Sequence, residues 1–320
     1  MGVLMVFSGA TSIAENMRSI LNVTIWLACL LSPLAHAATP AISAGGRGHS
    51  IALNVDGTIR TWGNDASGQL GVGRSLESSK PLVVAGATGI SKIASSDWHV
   101  VALKADGSVL AWGLNSDGQL GDGTTVNRAS PVPVSGLAGV VEIAARGHTV
   151  ALKRDGSVWA WGSNGGGALG NRGSSDPTTP AQVNGLAGVR KISAGSGFTL
   201  ALKDDGSVWA WGRNGFGQLG DGMKAEANTG RATPAAVSGL SGVMAISAGI
   251  NHSLALKADG TVWAWGNNSS GQLGDGTTID RPLPVRVLEL GGVGVIVAGF
   301  GRSFAIKKSD GSVWAWGGQW

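Results

Sequence analysis

The dipeptide Trp-Gly recurs at Trp62, Trp112, Trp161, Trp211, Trp265 and Trp316, at intervals of 50, 49, 50, 54 and 51 residues. An Asp-Gly pair precedes each one, at Asp56, Asp106, Asp155, Asp205, Asp259 and Asp310, with the same intervals. A fixed period of this length restricts a chain to architectures that stack one supersecondary unit, a solenoid or a propeller. Composition narrows the unit itself. Gly accounts for 54 of 320 residues, against a usual share of ~7%. Long helices are excluded, because each interior Gly costs ~1 kcal/mol relative to Ala. Gly follows no three-residue period and Pro numbers only 10, which excludes a collagen helix.

One unit can be read from residues 243–287. VMAISAG is a short apolar strand and HSLALK is a second. Asp-Gly between two such runs is a strong hairpin signal, and TVWAWG is the third strand. A Gly-rich loop, NNSSGQLGDGTTIDR, leads to PLPVRV, which reads as an edge strand because Pro cannot donate to a central ladder. Four short antiparallel strands per unit predict an all-β propeller. Strands are expected near 50–54, 58–62, 82–85 and 90–94, recurring at the unit intervals. The small residues of the first strand should lie nearest the axis, where blades taper.

These residues resemble a known family. ALKADGTVWAWGNNSSGQLGDGTT is similar to the repeat of the regulator of chromosome condensation, the RCC1-like repeat. The resemblance runs from about Ala41 to Trp320 and implies a β-propeller of four-stranded blades, seven in most members. This chain has five complete units and a sixth, residues 293–320, that stops after its third strand. The expectation is therefore six blades with the last incomplete, or a truncated seven-bladed ring. The resemblance also implies a non-enzymatic binding module. The family includes a secreted bacterial inhibitor of β-lactamases that uses a loop face, and this chain reads as a secreted bacterial-type member. Guanine-nucleotide exchange, the activity of the founding member, is the alternative.

Residues 1–40 carry a different pattern. Arg18 precedes an apolar run from Ile20 to Leu31, and Ala35-His36-Ala37 forms an A-x-A site. That is the layout of a secretory signal peptide over residues 1–37, with translation starting at Met17 and a single domain over residues 38–320. The run is too short for a membrane span. Leu27-Ala28-Cys29 offers a lipoprotein site as the runner-up. Secretion or the periplasm and cell envelope is the expected location. Cleavage after Ala37 removes Cys29, the sole cysteine, and with it any disulfide, thiolate nucleophile or Cys-ligated metal.

The repeated residues have structural readings. The Trp positions supply inter-blade core. The Asp residues belong to turns rather than to acid–base pairs. Gly165, Gly167 and Gly170 spell G-x-G-x-x-G, but a strand follows instead of a helix, so no phosphate cradle is expected. His49, His99, His148 and His252 occupy one repeat position, and ring-equivalent positions lie too far apart to share a metal. No catalytic set, cofactor or metal site is expected. Basic residues are scattered and net charge is only +4, so no nucleic-acid footprint is expected.

Strand parity places the Gly-rich loops and the AGxxH-type turns on one face, and the Asp-Gly turns on the other. Variation among units concentrates on the first face. Candidate partner-binding residues there are Arg47, Asp97, Trp98, Arg146, Phe216, Asn251, Phe300 and Arg302. Lys224 and Arg231 join them from the insertion over residues 223–231. Trp, Arg and flanking aromatics are common hot-spot types. The expected partner is a protein, with a glycan stacked on Trp98 and Phe216 as a further reading.

Overall fold

The computed structural model describes residues 38–46, 48–173, 175–226 and 229–318. The expected signal peptide, the start at Met17 and the Cys29 site all lie outside the described residues. So does Arg47.

The described residues fold into six antiparallel sheets in sequence order. Blade 1 is Ala41–Gly45, His49–Leu53, Ile59–Gly63 and Ser78–Val83. Blade 2 is Ile90–Ser95, His99–Lys104, Val109–Gly113 and Arg128–Pro133. Blade 3 is Val140–Ala145, His148–Lys153, Val158–Gly162 and Ala181–Gln182. Blade 4 is Val189–Ala194, Phe198–Lys203, Val208–Arg213 and Gly230–Ala236. Blade 5 is Val243–Ala248, His252–Lys257, Val262–Gly266 and Arg281–Arg286. Among the described residues blade 6 has three strands, Val293–Ala298, Arg302–Lys307 and Val313–Gly317. First strands of successive blades touch one another around the axis. The described residues contain one helical turn, the 3-10 segment Gly165–Gly167, and no helix long and apolar enough to cross a membrane.

Each hairpin is closed by the same chemistry. Asp106 Oδ1 accepts from the Ser108 N–H at 2.9 Å and from its hydroxyl at 2.6 Å. Gly107 between them has φ +82°, a conformation that favours Gly. The edge strand of blade 1 begins at Ser78, earlier than the expected 82–85. Pairing runs Thr61↔Leu82 and then Gly63↔Ser78 with a register shift between them. Pro81, which has no N–H to donate, sits in that bulge.

Blades stack through their Trp residues. Trp161 of blade 3 packs on Val101, Leu103, Val109 and Leu120 of blade 2. Trp211 packs on blade 3 and Trp265 on blade 4 in the same way. The stacking is interrupted between blade 6 and blade 1. Val313 is 68% exposed, whereas its equivalents Val109, Val158, Val208 and Val262 are 2%, 0%, 1% and 0% exposed. Ile42 on the opposite side of the gap is exposed, while its equivalents Ile143, Ile192 and Ile296 are buried. The two ends approach at the loop face, where Gly45 and Gly46 line a cavity of ≈ 500 Å³ with Phe300, Arg302 and Phe304.

Candidate interaction face

Hydrogen bonds between connections segregate the two faces as strand parity requires. The Leu114 N–H at the start of a Gly-rich loop donates to the Trp98 carbonyl at 2.9 Å, and the Asn267 N–H donates to the Asn251 carbonyl at 2.9 Å. On the other face the Arg154 N–H, beside an Asp-Gly turn, donates to the Gly139 carbonyl at 3.0 Å.

One side chain organises each Gly-rich loop. Asn115 Oδ1 accepts from the Leu120 N–H at 2.9 Å, and Nδ2 donates to the Thr124 carbonyl at 2.9 Å and the Val126 carbonyl at 3.2 Å. Asn164, Asn214 and Asn268 act in the same way on their own loops. Asp65 replaces Asn in blade 1 and accepts from the Leu70 and Leu76 N–H groups. Burial raises its pKa against those two bonds. An outer pair, Arg128 with Asp122 at 2.7 Å, closes the loop base, and Arg281 with Asp275 and Arg231 with Asp221 repeat it. In blades 2, 4 and 5 the recurrence of Asn with Asp seven residues on, and of an Arg six or ten residues after that Asp, was the available sequence signal for this device.

The histidines also prove to be linkers between blades. Trp161 Nε1 and Thr149 Oγ1 of blade 3 both donate to the Gln119 carbonyl of blade 2, at 3.0 and 2.8 Å. The Thr149 hydroxyl proton is thereby committed, so Thr149 accepts from His99 Nε2–H across 2.9 Å. His99 Nδ1 is left as an acceptor for the Ser96 hydroxyl at 2.7 Å. His148 with Thr199 and His252 with Ser303 repeat the inter-blade contact. Burial holds these imidazoles neutral, lowering the pKa from 6.5 to about 3 for His99 and about 4 for His148 and His252. His49 is buried with neither ring nitrogen partnered. Val100 stands in blade 2 where later blades have Thr or Ser. Among the described residues, no group of three or more His, Cys, Asp or Glu is placed to hold a metal ion. Gly165 and Gly167 form a 3-10 turn that leads to a two-residue edge strand.

The candidate partner-binding residues differ in burial and in what holds them. Arg231 is the second residue of the edge strand of blade 4, with Nη1 2.7 Å from Asp221 Oδ2 and Nη2 donating to the Ala210 carbonyl. Lys224 donates to Asp280 of blade 5 at 3.0 Å. Asp97 Oδ1 accepts from the Gly46 N–H of blade 1 at 3.1 Å. Trp98 and Arg302 are half-buried. Arg146 is half-buried too, and burial lowers its pKa while the Asp97 carboxylate opposes the shift. Phe216 and Phe300 are exposed. Phe216 and Asn251 line one cavity of ≈ 400 Å³, and Phe300 and Arg302 line another of ≈ 500 Å³. Sequence reasoning missed Arg213. It lines the first cavity, and its Nε is buried with no hydrogen-bond partner.

The model of the RCC1-like domain matches residues 30–319. The chain belongs to the RCC1-like domain family. This RCC1-like domain is 38% identical over 77 residues to the ultraviolet-B receptor UVR8 of Arabidopsis thaliana, a stretch that covers 23% of the chain and 18% of that protein. It is 42% identical over 78 residues to the human probable E3 ubiquitin-protein ligase HERC3, covering 23% of the chain and 7% of that protein. The matched stretches thus span under a fifth of these curated relatives, and both relatives are eukaryotic. Among solved structures, yeast RCC1 (Prp20) bound to Kap60 is similar with TM-score 0.76 and 25% identity, over 87% of this chain and 69% of that one. A second Prp20p structure, from Saccharomyces cerevisiae, was described with its binding properties to Gsp1p and histones.

Proposed function

We propose that this RCC1-like domain is a secreted, non-enzymatic propeller that binds a partner protein through its loop face. One observation carries the reading. The Asp-Gly face repeats the same turn, Asp with Ser or Thr two residues on, in blade after blade. The loop face keeps its Asn-centred frame and varies what that frame displays, with Phe216, Phe300 and Arg213 each in one blade only. Variation mounted on a constant frame is the arrangement of a recognition surface. Protein binding by Prp20, named with Kap60, Gsp1p and histones, supports the same class of activity. Export is supported by the pattern of residues 1–37.

The test compares two variant sets in a pull-down from cell-envelope extract, followed by identification of what is retained. Phe216→Ser with Phe300→Ser should abolish capture of a specific partner. Lys104→Ser, Arg154→Ser and Lys257→Ser, beside the Asp-Gly turns, should leave it intact. The reverse result would move the binding surface to the opposite face. The mature N-terminus of the native protein tests export, and a start at Ala38 is expected. Exchange activity is the second reading, favoured by the similarity to Prp20. It predicts accelerated nucleotide release from a Gsp1p-type GTPase, and no acceleration is expected here.

A further inference from the structure

We propose that the cavity between blades 4 and 5 on the loop face is a carboxylate-binding site for an acidic segment of the partner protein, with Arg213 as its anion anchor and Phe216 as its apolar wall. The proposal rests on the loop-face reading and adds the chemistry of what that face takes.

The cavity measures ≈ 400 Å³ and is lined by Ser196, Arg213, Phe216, Gln218, Ile250 and Asn251. Two of these residues depart from the repeat. The position after each Trp-Gly is Asn64, Leu114, Ser163, Asn267 and Gly318 in the other blades, and a cation only at Arg213. The loop-tip position held by Phe216 is Ser67, Asp117, Gly166 and Ser270 elsewhere.

The backbone clears a path for Arg213. A Cβ at Gly166 would lie 2.4 Å from Arg213 Cγ, and one at Gly197 would lie 2.6 Å from Arg213 Cδ. A Cβ at Gly165 would lie 2.8 Å from Arg213 Nη2. Side chains at these three positions would displace the arginine, so the glycines leave the space in which its stem lies. The Arg213 N–H donates to the Gly197 carbonyl at 2.8 Å and fixes the root of the side chain.

The head of that side chain has donors and no acceptor. Nε is buried without a partner. Among the described residues the Arg213 guanidinium forms no hydrogen bond or ion pair, whereas Arg128, Arg231 and Arg281 on the same face are each paired with an Asp. A carboxylate matches the planar fork of a guanidinium with two parallel hydrogen bonds. Two further groups are free to bind polar atoms nearby. The Ser196 hydroxyl and the Asn251 side-chain amide have no hydrogen-bond partner among the described residues, and both line the cavity. Gln218 is engaged internally, since its Oε1 accepts from the Phe216 N–H at 2.9 Å and so fixes the loop tip. Phe216, 37% exposed, and Ile250 complete an apolar side.

Charge complementarity selects the occupant. Lys224 and Arg231 of the same loop are already neutralised by Asp280 and Asp221. One unmatched guanidinium beside an aromatic ring suits a single Asp or Glu followed by an apolar residue. A nucleic-acid backbone would require a continuous basic stripe.

The test pans a random peptide phage library against residues 38–320 secreted from the full chain, and then measures selected peptides by fluorescence anisotropy. Selected peptides should carry an Asp or Glu next to an aromatic or aliphatic residue. Changing that acid to its amide should weaken binding at least about tenfold with the protein untouched. Arg213→Gln should cause the same loss, Arg213→Lys a smaller one, and Arg154→Gln on the opposite face none. Peptides without an acid, or full affinity for Arg213→Gln, would overturn the site. Displacement of the peptide by inorganic phosphate at concentrations where acetate is inert would overturn it in favour of a phosphate-bearing ligand. Binding that survives Arg213→Gln but is lost in Phe300→Ser would overturn the cavity and leave the loop-face reading standing. Binding lost only through Arg154→Gln would overturn both.

Discussion

Moving from about pH 7.5 to about pH 5 should weaken the fold by about 6 kcal/mol, through His99, His148 and His252. Burial lowers these imidazoles from 6.5 to about 3, about 4 and about 4 in the folded chain. Unfolded, each titrates near ~6.5. Below that value the unfolded chain binds protons that the folded chain excludes, so stability falls as pH falls. The loss accumulates from about pH 6.5 down to the folded values and then stops. At about pH 5 it spans roughly 1.5 pH units, or about 2 kcal/mol per histidine. Glu142, whose pKa is raised by burial, acts in the opposite sense above 4.5 and trims the slope. The Asp carboxylates of the Asp-Gly turns sit below 3.8 and act only at lower pH. Urea unfolding followed by Trp fluorescence at the two pH values measures the difference. His148→Gln keeps a donor for Thr199 and removes the titration, so it should reduce the pH-dependent loss by about 2 kcal/mol. An unchanged loss in the triple variant His99→Gln, His148→Gln, His252→Gln would refute the reasoning.

Three other outcomes follow from the packing. Trp161→Ala truncates a fully buried ring and should cost about 3–5 kcal/mol in urea unfolding, whereas Trp314→Ala, at a ring 41% exposed, should cost about 1 kcal/mol or less. Equal losses would show that the inter-blade core has been misassigned. Asn115→Ala leaves the Leu120 N–H and the Thr124 carbonyl without their partner, and should cost about 2 kcal/mol and open the loop to limited proteolysis. In hydrogen exchange read by mass spectrometry, Val313–Gly317 should exchange faster than Val109–Gly113, because blade 6 buries only one of its faces.

What could be read from the sequence is what depends on neighbours along the chain. Asp-Gly turns and short apolar runs are local, and with the recurring Trp-Gly interval they specify four strands in a complete blade and the two faces of the disc. The buried role of Trp112, Trp161, Trp211 and Trp265 was legible for the same reason, since one residue recurring at one strand position has one packing job. The tertiary structure decided what joins residues of different blades. Thr149 and Trp161 share the Gln119 carbonyl only because successive blades rotate one onto the next. His49 lost its partner because Val100 occupies the facing position, which no property of His49 reveals. The same holds for the loop cations. Arg231 and Arg213 look alike in sequence, both basic and both beside a Gly. Folding sets Arg231 against Asp221 of its own loop, and it lays Arg213 across Gly165, Gly166 and Gly197 with no acceptor for its buried Nε. Whether a charge is neutralised depends on which groups the fold brings within hydrogen-bond reach, and that distance is not written in the spacing of the repeats.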